Sequence, residues 1–376
     1  MINLIVAIVF RCVLWYAILT VMAIQKKTKK KIIIASSVTA FLLLLIFLVV
    51  PFTAGSIIYN SVFNQRFETA ELVKLYLDDF EGLKADRHEF TSNEGNKLVG
   101  YRYYTDGDAQ GVVVIAHGFG GGGHNTYMDV AYYFARHGYD VFAYDATAND
   151  ESEGKGLTGM PQGVADLSYA IDYLQKIDEC KDLPVMLWGH SWGGYCVGSV
   201  LNYHPEIKAV ASIAGFNQSG DLILAQGREM VGGFADFTMP YVKSIERSKC
   251  GKYAAANALD GFANSECGVL IVHSSDDTTV PIQYGYDVYY KQYANDHRFE
   301  FIRYENKGHS NVLYSDLYLN YLRDFNEAFH NDFSGRTPTP EERIAYIQEH
   351  LDRSIFCNGL DTELFDRILN FYNCNL

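Results

Sequence analysis

The sequence predicts an α/β fold, a mostly parallel central sheet with helices on both faces. Three observations carry this expectation. Short apolar runs of strand length alternate with helix-length segments from about residue 97 to residue 304. Some of these runs, Val112–Ala116 among them, are apolar at every position, as a strand buried on both faces must be. One run, Leu183–Trp188, leads straight into Gly189-His-Ser-Trp-Gly193 and then a segment of small residues that reads as a helix, so the chain reverses there through a sharp strand-to-helix turn.

Taken in order, the chain opens with two apolar runs, residues 2–24 and 32–50, on either side of Gln25-Lys-Lys-Thr-Lys-Lys-Lys31. Each approaches the ~20 residues that cross a hydrocarbon core. They read as a two-span helical hairpin anchor over residues 1–51, the second span stopping at Pro51, with Arg11 a charge inside the first. The positive-inside rule keeps the lysines in the cytoplasm and puts everything after Pro51 on the far side. Residues 52–86 have Ile58, Phe63, Phe67 and Leu72 at helical spacing and read as a juxtamembrane connector.

The α/β domain is expected over residues 87–334. Residues 87–91 and 97–104 alternate around Ser92-Asn-Glu-Gly-Asn96 as a hairpin. Strands follow at Val112–Ala116, Tyr139–Tyr144, Leu183–Trp188, Ala209–Ile213, Val269–His273 and Phe299–Tyr304. Between them, Val164, Leu167, Ile171 and Leu174 mark one face of a helix. Residues 215–266 are too long for a plain connection and read as an inserted cap. The tail, residues 335–376, carries a capping box at Thr339-Pro-Glu-Glu342 and a cap at Asp361, with Ile344, Ile347, Leu351, Leu364, Phe365, Ile368 and Leu369 on faces that should pack on the core.

Of 31 Lys and Arg, six precede Pro51, whereas none of the 45 Asp and Glu does, so the part beyond carries a net charge of −20. That charge excludes nucleic acid and anionic lipid as partners of this domain. Cys250 and Cys267 are 17 residues apart, as are Cys357 and Cys374, and an oxidising exterior would let either pair bridge. His117, His124 and His137 lack ligand spacing, so no metal and no cofactor is expected.

The chemistry starts at Ser191. Gly-x-Ser-x-Gly between a strand and a helix is the nucleophile-elbow pattern, with the serine hydroxyl exposed on a strained turn. A serine needs a base held by a third group. After the strand ending at His273 comes Ser274-Ser-Asp-Asp277, and after the strand ending at Tyr304 comes Gly308-His309. Ser191, an aspartate at 276 or 277, and His309 thus occur in the order nucleophile, acid, base, each just past a strand end. Two backbone N–H groups are expected to form an oxyanion hole, Trp192 after the nucleophile and Phe119 in His117-Gly-Phe-Gly-Gly-Gly-Gly123. That loop lacks the Gly-Lys-Ser/Thr ending of a phosphate loop.

Together with Tyr144-Asp145, Ser152-Glu-Gly154 and Asp277-Thr-Thr-Val-Pro281, these segments resemble the α/β-hydrolase superfamily. More narrowly they resemble the monoacylglycerol-lipase-like and serine aminopeptidase (S33-type) branch, over about residues 87–330. The resemblance implies an α/β-hydrolase fold, a variable cap at 215–266, and Asp277 as the acid, since the family places the acid before x-x-Val-Pro. The expectation is a membrane-anchored serine hydrolase acting through an acyl-enzyme on a small-molecule ester, lipid or peptide. A carboxylesterase or lipase comes first, a serine peptidase second, and a catalytically silent binding or sensor domain is the reading from another class.

Overall fold

The computed structural model describes Trp15, residues 29–334 and residues 336–376. Apart from Trp15, the expected first span and the start of the lysine loop lie outside the described residues. Among the described residues one helix, Ile33–Phe63, is long and apolar enough to cross a membrane. It runs through α1 (Lys29–Leu44), from Ile33 on, a π-helical turn (Leu45–Val49) and α2 (Val50–Phe63).

The expectation that the span stops at Pro51 is therefore corrected. Proline in a helix removes the N–H that would bond the carbonyl four residues back, here that of Phe47. The π-turn reshapes the ladder just before Pro51, and the Tyr241 hydroxyl, from a different helix, donates to the Phe47 carbonyl. The helix ends at Asn64, and residues 64–83 lie irregularly against the domain. There Arg66 donates to the carbonyls of Asp150, Ser152 and Gly154, while Leu75 and Phe80 are buried.

Eight strands form one sheet: β1 (Lys84–Thr91), β2 (Lys97–Tyr104), β3 (Val112–Ala116), β4 (Asp140–Tyr144), β5 (Val185–His190), β6 (Ala209–Ile213), β7 (Gly268–Ser274) and β8 (Phe299–Tyr304). Their order is β1-β2-β4-β3-β5-β6-β7-β8, with β1 and β2 antiparallel and β3 to β8 parallel. The fully apolar strands are the central ones, because helices cover both their faces.

The helices of the domain are α3 (Met128–Ala135), α4 (Pro161–Leu174), α5 (Trp192–Ser199), α6 (Ser219–Val231), α7 (Phe234–Cys250), α8 (Ala258–Ala263), α9 (Tyr286–Tyr293) and α10 (Asp316–Asp332). Helices α6 and α7 form a hairpin between β6 and β7, joined at Gly232, whose φ of 60° favours glycine. The tail adds α11 (Pro340–His350), α12 (Arg353–Phe356) and α13 (Thr362–Asn373). Thr339 and Glu342 make both bonds of the capping box.

One core lies between the sheet and α4, α5 and the α6–α7 hairpin, around Val164, Leu167, Tyr195 and Phe216. The other lies beneath α3 and α13. There Phe365 and Ile368 are buried against the sheet, and the Tyr372 hydroxyl donates to the Leu187 carbonyl at 2.7 Å. The last helix therefore completes a face of the sheet. The six described cysteines are free thiols, so neither pair is bridged. Burial pushes the Cys250 thiol up to about 12 and Cys267 up to about 11, keeping both protonated.

Candidate active site

Ser191, Asp277 and His309 follow β5, β7 and β8, and the glycine-rich loop follows β3, so all converge at the carboxyl edge of the sheet. Ser191 has φ 58° and ψ −114°, a conformation L-residues rarely adopt. The Ser191 N–H donates to the Ile213 carbonyl at 2.8 Å, which ties the turn to β6. The flanking glycines are steric requirements: a Cβ at Gly189 would stand 2.3 Å from the Gly193 carbonyl oxygen, and one at Gly193 1.9 Å from that of Ala116.

The Ser191 hydroxyl lies 2.8 Å from His309 Nε2, and His309 Nδ1 lies 2.7 Å from Asp277 Oδ2. Asp277 is buried, whereas Asp276 is exposed and accepts from Ser274 Oγ and the Gly308 N–H. The structure thus brings Asp277, not Asp276, to the histidine. Burial acts to raise the Asp277 carboxyl, but hydrogen bonds from His273 and His309 and the N–H of Val280 outweigh it and hold the group well below the usual carboxylate range.

Two histidines that the sequence did not single out for the site support it. His273 Nε2 donates to the Val280 carbonyl at 2.8 Å and lies 3.3 Å from Asp277 Oδ2. Its only sequence signal is a polar residue at the end of an apolar strand. His190 accepts from Tyr127 Oη at Nδ1 (2.9 Å) and faces the His309 carbonyl at 3.4 Å through Nε2. Burial, and then the neighbouring His309, push His190 down to about 3, so it stays neutral beside His309.

In the glycine-rich loop, His117 Nδ1 donates to the Gly118 carbonyl at 2.7 Å and Nε2 accepts from the Ala146 N–H at 3.0 Å. Gly120 and Gly121 have φ of 88° and 155°, which glycine tolerates. The Phe119 ring packs on Phe63, Phe67 and Trp192. Trp192 opens α5, where a first-turn N–H has no intrahelical acceptor.

Two cavities meet at Ser191. One of 440 Å³ is lined by the glycine-rich loop, Asp129, His190 and His309. The other, of 370 Å³ and mostly apolar, is lined by Phe119, Trp192, α2 and the α6–α7 hairpin. Elsewhere, His124, Asp145 and Glu151 have ligand-type atoms within 4.8 Å of one another. Their polar atoms already serve the protein: His124 Nδ1 bonds Asp145 Oδ1, and Glu151 accepts from Tyr101 and Arg87.

The Pyrococcus furiosus esterase superposes on 72% of this chain and 96% of its own, with a TM-score of 0.50 at 17% identity. The serine aminopeptidase S33 family profile matches residues 107–258, which include the glycine-rich loop and the Ser191 elbow. The fold is that of the α/β-hydrolases. Among α/β-hydrolases of this fold, the Pyrococcus horikoshii acylaminoacyl peptidase superposes on 71% of this chain and 45% of its own, with a TM-score of 0.50 at 15% identity. Monoglyceride lipase of Saccharomyces cerevisiae is 30% identical over 132 residues, 33% of this chain and 39% of the yeast protein. Caffeoylshikimate esterase of Arabidopsis thaliana is 29% identical over 116 residues, 30% and 35% of the two chains. The chain thus spans well under half the length of the curated relatives it matches.

Proposed function

We propose that this α/β-hydrolase is a membrane-anchored serine hydrolase that cleaves a carboxylic ester through an acyl-enzyme on Ser191. The observation that carries the reading is the continuous hydrogen-bonded chain Asp277–His309–Ser191 at the mouth of two cavities. Ser191 Oγ attacks the carbonyl carbon as His309 Nε2 takes its proton. Asp277 accepts from Nδ1–H, fixing the tautomer and steadying the imidazolium. The N–H groups of Phe119 and Trp192 take the oxyanion, and each such donor is worth about 3 kcal/mol in the transition state. His309 then protonates the leaving oxygen, and water, deprotonated by the same base, hydrolyses the acyl-enzyme. The names of the yeast and plant relatives favour an ester. The serine aminopeptidase profile keeps a peptide amide as the alternative.

The apolar helix Ile33–Phe63 anchors the enzyme, and the lysines at 26–31 keep its start in the cytoplasm, so Ser191 works on the outer side. A membrane-impermeant fluorophosphonate tests activity and address together. Intact cells should label wild-type protein and not Ser191→Ala. Labelling only after permeabilisation would reverse the orientation. No adduct on the folded protein would leave a silent binding domain.

A further inference from the structure

The 370 Å³ apolar cavity has the protruding end of the membrane helix as one wall. Gly55, Ile58, Tyr59 and Val62 of α2 line it opposite Met239 and Val242 of α7. At 31 residues and 1.5 Å each, the helix is longer than the roughly 30 Å hydrocarbon core, so its last turns stand clear of the bilayer. Those turns are fastened to the cap. Lys249 Nζ donates to Asn60 Oδ1 at 2.9 Å, and the buried Glu246 carboxylate accepts from Ser219 and, at 3.4 Å, from Tyr59. At the other end Phe63 packs on Phe119 of the glycine-rich loop. The helix that holds the enzyme on the membrane therefore shapes the space next to the nucleophile.

The two cavities divide the substrate. His309 lines the 440 Å³ cavity and not the apolar one, while Trp192 lines the apolar cavity and not the other. The group that receives a proton from His309 must leave on the His309 side, so the acyl group lies in the apolar cavity. Polar atoms there are few, which suits an alkyl chain and not a peptide. The volume holds roughly a dozen water-sized groups at about 30 Å³ each, hence a chain of about twelve carbons. The cavity reaches the surface at Met230, which is 71% exposed. Close by, Phe237 packs edge-on against Phe47 of the span and Tyr241 bonds the Phe47 carbonyl, so this mouth lies at the level of the membrane.

We infer that the cavity is an acyl subsite whose chain-length limit is set by Gly55 and Ile58 of the membrane helix, and that its substrate is a fatty-acyl ester drawn from the bilayer. The inference rests on the hydrolase reading above. A Cβ at Gly55 meets only Val242 Cγ2, at 3.8 Å, so Gly55→Leu projects into the cavity without displacing backbone. It fills the space of about four chain carbons. Ile58→Ala enlarges the same space.

The test uses the full chain in phosphatidylcholine vesicles with p-nitrophenyl esters from butanoate to palmitate. The ratio of kcat/KM for dodecanoate to that for butanoate should fall at least tenfold in Gly55→Leu, and Ile58→Ala should move the optimum to longer chains. Ile57→Leu, on the exposed face of the same helix, should keep the wild-type ratio. Shifts of opposite sign cannot come from general loss of folding. Ratios within twofold of wild type in both cavity variants would overturn the inference. It is equally overturned if wild-type Ser191 takes a fluorophosphonate but the enzyme hydrolyses no ester longer than butanoate. An unlabelled wild-type Ser191 overturns the hydrolase reading itself.

Discussion

Asp277→Asn is a severe perturbation because every partner of that carboxylate is a donor. Oδ1 accepts from the N–H groups of Thr279 and Val280, each at 2.9 Å. Oδ2 accepts from His309 at 2.7 Å and faces His273 Nε2 at 3.3 Å. An asparagine has one acceptor and one donor end, so neither rotamer fits. With the amide nitrogen toward His309, the ring must accept at Nδ1, which puts its proton on Nε2 and leaves no base for Ser191. With the nitrogen toward the loop, two backbone donors lose their acceptor, and the buried one, of Val280, costs about 1–3 kcal/mol. The first arrangement is cheaper, and the wrong tautomer costs about 10⁴ in turnover. That factor corresponds to roughly 5 kcal/mol of transition-state stabilisation. Asp276→Asn, by contrast, keeps an oxygen for Ser274 and Gly308 and should cost less than tenfold. Hydrolysis of a p-nitrophenyl ester by both variants, with thermal melts to confirm folding, decides the matter. A larger loss in Asp276→Asn, or loss below tenfold in folded Asp277→Asn, would refute the assignment of the acid.

Three further predictions concern stability. Gly193→Ala drives a methyl group into the Ala116 carbonyl, which as strand backbone cannot yield, and should destabilise by about 3 kcal/mol. Gly233→Ala, with open space around it, should be within about 0.5 kcal/mol of wild type by chemical denaturation. Asp129 is buried beside the His309 cavity, and desolvation raises its carboxyl to about 7 although its own and the Val130 N–H oppose the rise. In the unfolded chain the group ionises near pH 4. Between about pH 4 and pH 7 the unfolded state releases a proton that the folded state keeps, so this group lowers stability as pH rises through that window. Each pH step across it costs about 1.4 kcal/mol, so Asp129→Asn should gain on wild type by a few kcal/mol from pH 4 to pH 7. Parallel melting curves for the two proteins would sink the argument.

The sheet was legible because its signals are local. An all-apolar pentapeptide such as Val112–Ala116 has few places to go except the middle of a parallel sheet, and every expected strand recurs within a few residues at each end. The elbow was legible for the same reason: its two glycines and its serine answer to sterics within one turn. The choice between Asp276 and Asp277 rested on the resemblance, through the Val-Pro that follows, and not on residue type or spacing. Both follow the same strand, and in the folded chain it is Asp277 that meets His309.

The amino-acid sequence alone determined the α/β architecture, the placing of Ser191, Asp277 and His309 each just past a strand end, and a strongly apolar N-terminal region. The tertiary structure decided what those pieces touch. Helix α2 runs on past Pro51 after a π-turn, and Tyr241, distant in the chain, bonds the Phe47 carbonyl there. His273 and His190 gained their places by packing against Asp277 and His309. The tail became part of the core because the sheet face above Trp188 needed covering, and α13 supplied Phe365 and Ile368. Periodicity states which face of a helix is apolar; the partner for that face comes from residues tens to hundreds of positions away, whose positions only the folded chain sets.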